Sequence, residues 1–302
     1  MKSKGTGHQG TKYGLYVPNF GTASNPQTLA KLASEAEKSG WDGFFLWNHL
    51  VEWDKRFPIY DTFTSLAAIA LKTSRIRLGT TVTPLPRFKP WEVARQTVAL
   101  DYLSHGRMIL GVGLGAKESC DYERFGESAD NKILAEKLDE SLDIITGLWT
   151  GRPFSYQGKH YRVRKTTFLP RPVQKPRIPI WVGGFWPRKG PFKRAAAKWD
   201  GVIPLKLPEE LLESEDLRDI TNYFGKHHAR KAKFDFVNIG WTTGTNRERD
   251  KGKLAPFIEA GMTWWLESLY TKRDSPEGMR RRIRLGPPRG RTQRGETSNR
   301  RE

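Results

Sequence analysis

The chain has 302 residues, of which 37% are hydrophobic, 12% aromatic and 28% charged. That composition suits one large folded domain or two small ones and excludes a wholly disordered chain. The formal net charge of +19 is uneven: residues 271–302 hold eleven Lys/Arg against four Asp/Glu, and the +12 left on the remainder favours anionic ligands.

Residues 1–11 read as a flexible leader without the apolar core of a secretory signal. The first β-rich run is Tyr13–Phe20, followed by a helix capped by Asn25, opened by Pro26 and closed by Gly40. A second strand over Asp42–Leu50 precedes a helix over Thr62–Lys72, and a third over Arg75–Pro84 precedes a helix from Pro90 to about His105. Gly106–Gly115 is the fourth strand. A polar loop, Ala116–Asn131, leads into a long helix ending near Trp149. Residues 154–172 break the rhythm as a hairpin around Gln157-Gly158. Strands five to eight fall at Ile178–Gly184, Val202–Leu205, Phe234–Thr242 and Met262–Leu269. Their helices are expected through Phe192–Lys198, over about Glu209–His228, near Leu254–Ala260 and over Pro276–Leu285. Eight strands alternating with helices demand parallel pairing, and the count favours a (β/α)8 TIM barrel over a doubly wound sheet. The barrel is placed at residues 12–288, with 289–302 as a disordered basic tail that can touch nucleic acid but reads first as a solvated terminus.

No run of eighteen apolar residues exists, so no membrane helix is expected, and the cytoplasm is the expected compartment. One cysteine, Cys120, excludes an internal disulfide framework, and no His/Asp/Glu spacing suits a metal, so none is expected. P-loop and G-x-S-x-G patterns are absent.

In a barrel the chemistry sits at the C-terminal ends of the strands. That rule selects Asn19, Trp47 to His49, Thr80 to Thr83, Gly113 to Glu118, Gly183 to Lys189 and Glu267. Alternation places Phe45, Trp47 and His49 on one face, where His49 is either a proton donor or acceptor or a hydrogen-bonded rim histidine. Gly111, Gly113 and Gly115 clear one face of strand four, for a flat ligand or for a barrel corner. Gly183 and Gly184 precede a helix beside Arg188 and Lys189, an arrangement suited to a phosphate.

The stretch Gly79–Gly115, GTTVTPLPRFKPWEVARQTVALDYLSHGRMILGVGLG, resembles the central signature of the bacterial luciferase-like monooxygenases. WNHL, YERFG with LDESLDIITGLWTG, FSYQGKHY and PVQKPRIPIWVGG resemble further pieces, so that the likeness runs from about Lys12 to Pro288. It implies a barrel that binds FMN or the 5-deazaflavin coenzyme F420 and transfers hydride or inserts oxygen on a small organic substrate. It also implies a separate flavin or deazaflavin reductase as partner and pairing as a homodimer. By the same resemblance His49 is the active-site histidine. Thr80 and Thr81 back the flavin ring through a bulge or a non-prolyl cis peptide, Gly113 and Gly115 lie beside it, and Gly183, Gly184 and Arg188 hold the phosphate. Asn19, Trp47 and Glu118 are assigned to the substrate pocket. Asp101 and Arg107 are expected as a buried pair at the opposite face. The chain departs from the deazaflavin-dependent glucose-6-phosphate dehydrogenases, which carry a glutamate after the strand-four glycines, where Leu114 stands here. A flavin-binding barrel without turnover and a nucleic-acid role for the tail are the rival readings, and both rank below an oxidoreductase.

Overall fold

The computed structural model describes residues 10–51, 57–115, 121–206, 211–228, 233–270 and 275–289. In chain order, β1 (Lys12–Val17), α1 (Pro26–Lys38), β2 (Gly43–Leu46), α2 (Thr62–Lys72), β3 (Arg77–Thr80) and the two-residue β4 (Thr83–Pro84) form the first part. They are followed by α3 (Pro90–Leu103), β5 (Met108–Gly113), α4 (Asn131–Trp149) and the antiparallel hairpin β6 (Phe154–Gln157) and β7 (Arg162–Thr166). The rest alternates as β8 (Ile180–Phe185), α5 (Lys189–Lys198), β9 (Gly201–Leu205), α6 (Ser214–His227), β10 (Asp235–Gly240), α7 (Arg247–Glu259), β11 (Trp264–Ser268) and α8 (Pro276–Arg284). Strand order β3-β2-β1-β11-β10-β9-β8-β5, with β3 also paired to β5, closes a parallel TIM barrel, with the hairpin as an insertion.

The helices start where short polar side chains cover the first amides. Asn25 accepts from Thr28 N, Asp61 from Thr64 N, Asp130 from Lys132 N and Ile133 N, and Ser275 from Gly278 N. Gly40, at φ +88°, follows the end of α1 in the left-handed conformation that a glycine adopts without a Cβ penalty. Helix α7 starts seven residues earlier than its apolar stretch suggests. Asn246 caps it through Arg249 N, and its charged first turns carry little periodicity.

Period-two alternation divides the core. Outward residues such as Leu15, Phe44, Leu78, Leu110, Ile180 and Val202 pack under the helices. Inward residues Phe45, Ile109, Trp181, Ile203, Val237, Ile239, Trp264 and Leu266 fill the barrel. Phe45, Trp181 and Trp264 meet with ring centroids 5.1–5.6 Å apart. Small neighbours give them room: a methyl on Gly43 would lie 2.4 Å from Phe45, and one on Gly201 would lie 2.4 Å from Trp181. The tightest point is where β3 meets β5, since a Cβ on Gly79 would stand 2.0 Å from the Ile109 carbonyl oxygen. Backbone cannot swing aside as a side chain does. Gly79→Ala is therefore expected to destabilise the barrel by about 3 kcal/mol or more, the upper end for overpacked cores, read as a lowered denaturant midpoint.

The structure corrects three expectations. The third strand is not continuous: the Thr81–Val82 peptide is cis and divides it into β3 and β4. The second strand ends at Leu46 rather than Leu50, because the backbone of His49 pairs with the Asn19 side chain instead of a neighbouring strand. Asp101 and Arg107 are both buried but do not pair. The Arg107 guanidinium donates to the carbonyls of Ala70, Thr73, Ile76 and Ser104 and to Thr73 Oγ1, whereas Asp101 accepts from the backbone and side chain of Gln174. A guanidinium surrounded by carbonyl oxygens needs no carboxylate to be satisfied.

Candidate active site

His49 follows β2 at the C-terminal mouth of the barrel, half-buried in an aromatic cluster. Its ring lies 5.5 Å from Trp47 and edge-on to Phe20 at 5.7 Å. Trp47 in turn contacts Tyr16 at 4.9 Å and Tyr270 at 5.0 Å. The Asn19 carboxamide, 1% exposed, grips the His49 peptide from both sides. It accepts from His49 N at 3.1 Å and donates to His49 O at 2.9 Å and to Tyr60 O at 3.0 Å. Only an amide offers donor and acceptor together in this geometry. Burial lowers the pKa of His49 from the ordinary 6.5, with Asp121 opposing that shift and Arg87 adding to it. A neutral imidazole at neutral pH is the form that accepts a proton. The Trp47 Nε1 hydrogen is buried and has no acceptor within the described protein. Buried donors are ordinarily satisfied, so this one is available to a bound molecule.

A second group gathers around the cis peptide. Thr81 N donates to Leu46 O at 2.8 Å, which holds this turn beside the end of β2. Thr80 is fully buried, and its hydroxyl donates to Gly111 O at 2.7 Å, so its side chain joins β3 to β5. The absent side chains of Gly113 and Gly183 give room to Val82: added methyls would stand 2.8 Å and 2.7 Å from its two methyl groups. The glycines thus seat a valine at the mouth, a use of the cleared space that their spacing does not reveal. Gly115, at φ +85°, lies over Pro84 and Tyr122. Gly184 lets Pro191 approach, since a methyl there would meet its ring at 2.2 Å. Helix α5 then begins at Lys189, with Arg188 exposed at its N-cap. Because Pro191 has no N–H, the first turn offers an anion at most the Lys189 and Gly190 amides together with the two basic side chains.

Asn19, Trp47 and His49 are therefore in one cluster, Thr80, Thr81, Gly113 and Gly183 surround Val82, and Gly184 and Arg188 stand at the head of α5. Glu118 lies outside the described residues, as do residues 1–9 and 290–302 of the expected leader and tail. Glu267 faces away from the barrel interior, where it accepts from Thr242, Trp265 and Arg282. Sequence reasoning missed Tyr16, Phe20, Arg87 and Asp121, and it included Val82 only within the range Thr80 to Thr83. The inward alternation Gly14, Tyr16 marks the first of these, but the loop residues carry no periodic signal. Among the described residues no group of three or more His, Cys, Asp or Glu is placed to hold a metal, and no helix is long and apolar enough to cross a membrane.

A family model described as luciferase-like monooxygenase matches residues 7–295. An F420-dependent glucose-6-phosphate dehydrogenase of Nakamurella multipartita is 35% identical over 167 residues, 54% of this chain and 48% of that enzyme. The oxygenase component of a flavin-dependent trigonelline monooxygenase from Acinetobacter baylyi is 33% identical over 151 residues, 50% of this chain and 41% of its own length. The chain thus spans about half the length of these curated relatives. Among solved structures, an F420-dependent secondary alcohol dehydrogenase in complex with an F420–acetone adduct shares the fold, with a TM-score of 0.76 at 18% identity over 92% of this chain and 98% of that one. The FMN complex of the oxygenating constituent of 3,6-diketocamphane monooxygenase from Pseudomonas putida gives 0.71 at 17% identity, over 91% and 96%.

Proposed function

The chain belongs to the luciferase-like monooxygenase family, whose members include flavin- and F420-dependent oxidoreductases, and from that premise we propose that its barrel mouth is an FMN- or F420-dependent active site with His49 as the proton-transferring residue. The observation that carries this reading is the buried Trp47 Nε1 donor, left without an acceptor on an indole whose ring centroid lies 5.5 Å from that of the half-buried imidazole. A bound flavin or deazaflavin supplies the two-electron chemistry, with oxygen chemistry open to the flavin. The rest falls to the chain. Thr81, Val82, Gly113 and Gly183 form the wall against which the ring system would lie, and Gly184, Arg188 and Lys189 would hold its phosphate. Trp47 would donate to an acceptor on the bound molecule, while Phe20 packs on the imidazole and Tyr16 and Tyr270 back Trp47. His49, neutral because it is buried, accepts a proton and can return it.

The substrate we propose is a small organic molecule. Leu114 after Gly113 brings no carboxylate to that position, which speaks against glucose 6-phosphate. If FMN is the ligand, a separate reductase is the proposed partner; the trigonelline monooxygenase relative is itself an oxygenase component. The adjacent helices α2 and α3 present Leu71, 72% exposed, with Tyr102 and Leu103, a surface suited to the proposed homodimer.

Parallel titrations of cofactor-free protein with FMN and with F420 at moderate salt, followed by ligand fluorescence, test the reading. Binding of FMN alone supports oxygen-dependent chemistry, and selective binding of F420 supports hydride transfer without oxygen. Binding of neither removes the assignment. Trp47→Phe keeps an aromatic ring but deletes the N–H donor. It is expected to weaken the ligand that binds by about 1 kcal/mol, roughly fivefold, in the same titration.

A further inference from the structure

The peptides on either side of His49 are held by a pair of charges from two other loops. Arg87 ends the single 3-10 turn after β4, and Asp121 comes from the segment between β5 and α4. Their side chains are 8% and 5% exposed and meet at 2.5 Å, Nη1 to Oδ2. The other arm of the guanidinium, Nη2, donates to Asn48 O and to Asn48 Oδ1, each at 2.9 Å. The carboxylate accepts from Val51 N at 3.1 Å and more weakly from Leu50 N at 3.4 Å. Arg87 therefore holds the residue before His49, and Asp121 holds the two residues after it.

We propose that Arg87 and Asp121 are positioning residues for His49: they lock the loop that carries the imidazole from both sides and present opposite, paired charges beside it. This rests on the proton-transfer role of His49 for its consequence in turnover, but the placement and the paired charges do not. Among the described residues, the rings packed on His49 are the neutral ones of Phe20 and Trp47, with the phenols of Tyr16 and Tyr270 behind Trp47. Asp61 and Tyr122 act on Arg87. Among the described residues, the charges that act directly on the imidazole are those of Asp121, which favours its protonation, and Arg87, which disfavours it. An ion pair buried this deeply is screened little by salt, so removing either member exposes the ring to the other.

The test is the titration midpoint of His49, followed by 13C NMR of histidine-labelled apo protein and assigned by the signal lost in His49→Ala. Arg87→Met leaves the carboxylate alone and is expected to raise the midpoint. Asp121→Asn leaves the guanidinium alone and is expected to lower it. The double variant is expected to return it toward the starting value. A merely structural role moves both single variants the same way or neither, and either result overturns the proposal. If Arg87→Met does not fold, the comparison of Asp121→Asn with the double variant still isolates the arginine. The double variant must then titrate at the higher pH, and equal midpoints overturn the proposal. These midpoints are read without cofactor or substrate, so they stand apart from any failure of the proton-transfer reading, which turnover of His49→Ala decides.

Discussion

Replacing His49 by alanine is expected to lower turnover by about 10²- to 10⁴-fold, the range for a positioned acid–base group, while changing the affinity for FMN or F420 far less. The imidazole is carried at the mouth by a loop held by Asn19, the proposed place of its proton chemistry, whereas the proposed wall and phosphate site are supplied by β3, β5, β8 and the head of α5. Equal losses in turnover and binding would make His49 a wall of the ligand site and end the proton-transfer assignment. A pH profile adds the sign. Burial holds this imidazole below its ordinary 6.5, so the base remains neutral into mild acid, and kcat/KM should fall only as pH drops through that lowered value. The unfolded chain takes up the same proton earlier, so stability is lost as pH falls below the ordinary 6.5. His49→Ala should relieve that part of the acid sensitivity.

Glu267→Gln is expected to cost about 3–5 kcal/mol of stability, as when one partner of a buried ion pair is removed. Glu267 and Arg282 are 0% and 2% exposed and meet at 3.1 Å, joining β11 to α8. The carboxylate also accepts from Thr242 N at 2.8 Å, Thr242 Oγ1 at 2.9 Å and Trp265 Nε1 at 2.9 Å. An amide turns an N–H₂ toward some of these donors and removes the carboxylate charge that faces the guanidinium. Arg282 further donates to Thr242 Oγ1 and Gly286 O and lies over the Trp41 ring, so the loss spreads to the seam where the last helix covers the first. For a chain of this size the melting temperature should drop by on the order of 10 °C, followed by circular dichroism. A drop of only a degree or two would mean that the pair is not buried in solution. The glutamate stands late in the eighth strand, where position alone marks it for chemistry. It faces outward because Trp264 and Leu266 take the inward places.

Much of this protein can be read from residue order, because the relevant forces act over a few positions. The alternation of strands with helices yields the barrel. Asn25-Pro26 starts α1, the apolar spacing of Thr62–Lys72 marks α2 to the residue, and Phe45 and Trp47 on alternate positions bring Trp47 to the mouth. The family signature adds His49 and the glycine-rich strand ends. What tertiary structure alone decided depends on residues far apart in sequence. Val82 meets Gly113 and Gly183 from two other strands, Arg87 reaches Asp121 across 34 positions, and Asn19 clamps His49 across 30. Loops that carry no periodicity supply these groups, and their pairing is set by closure of the barrel, which brings the ends of separate strands to one rim. Sequence thus marked several of the residues that arrive at the mouth, Asn19, Trp47 and His49 among them. Only the closed barrel decided whether a given side chain there meets a ligand, a neighbouring backbone or an opposite charge, since that choice depends on which loops closure makes adjacent.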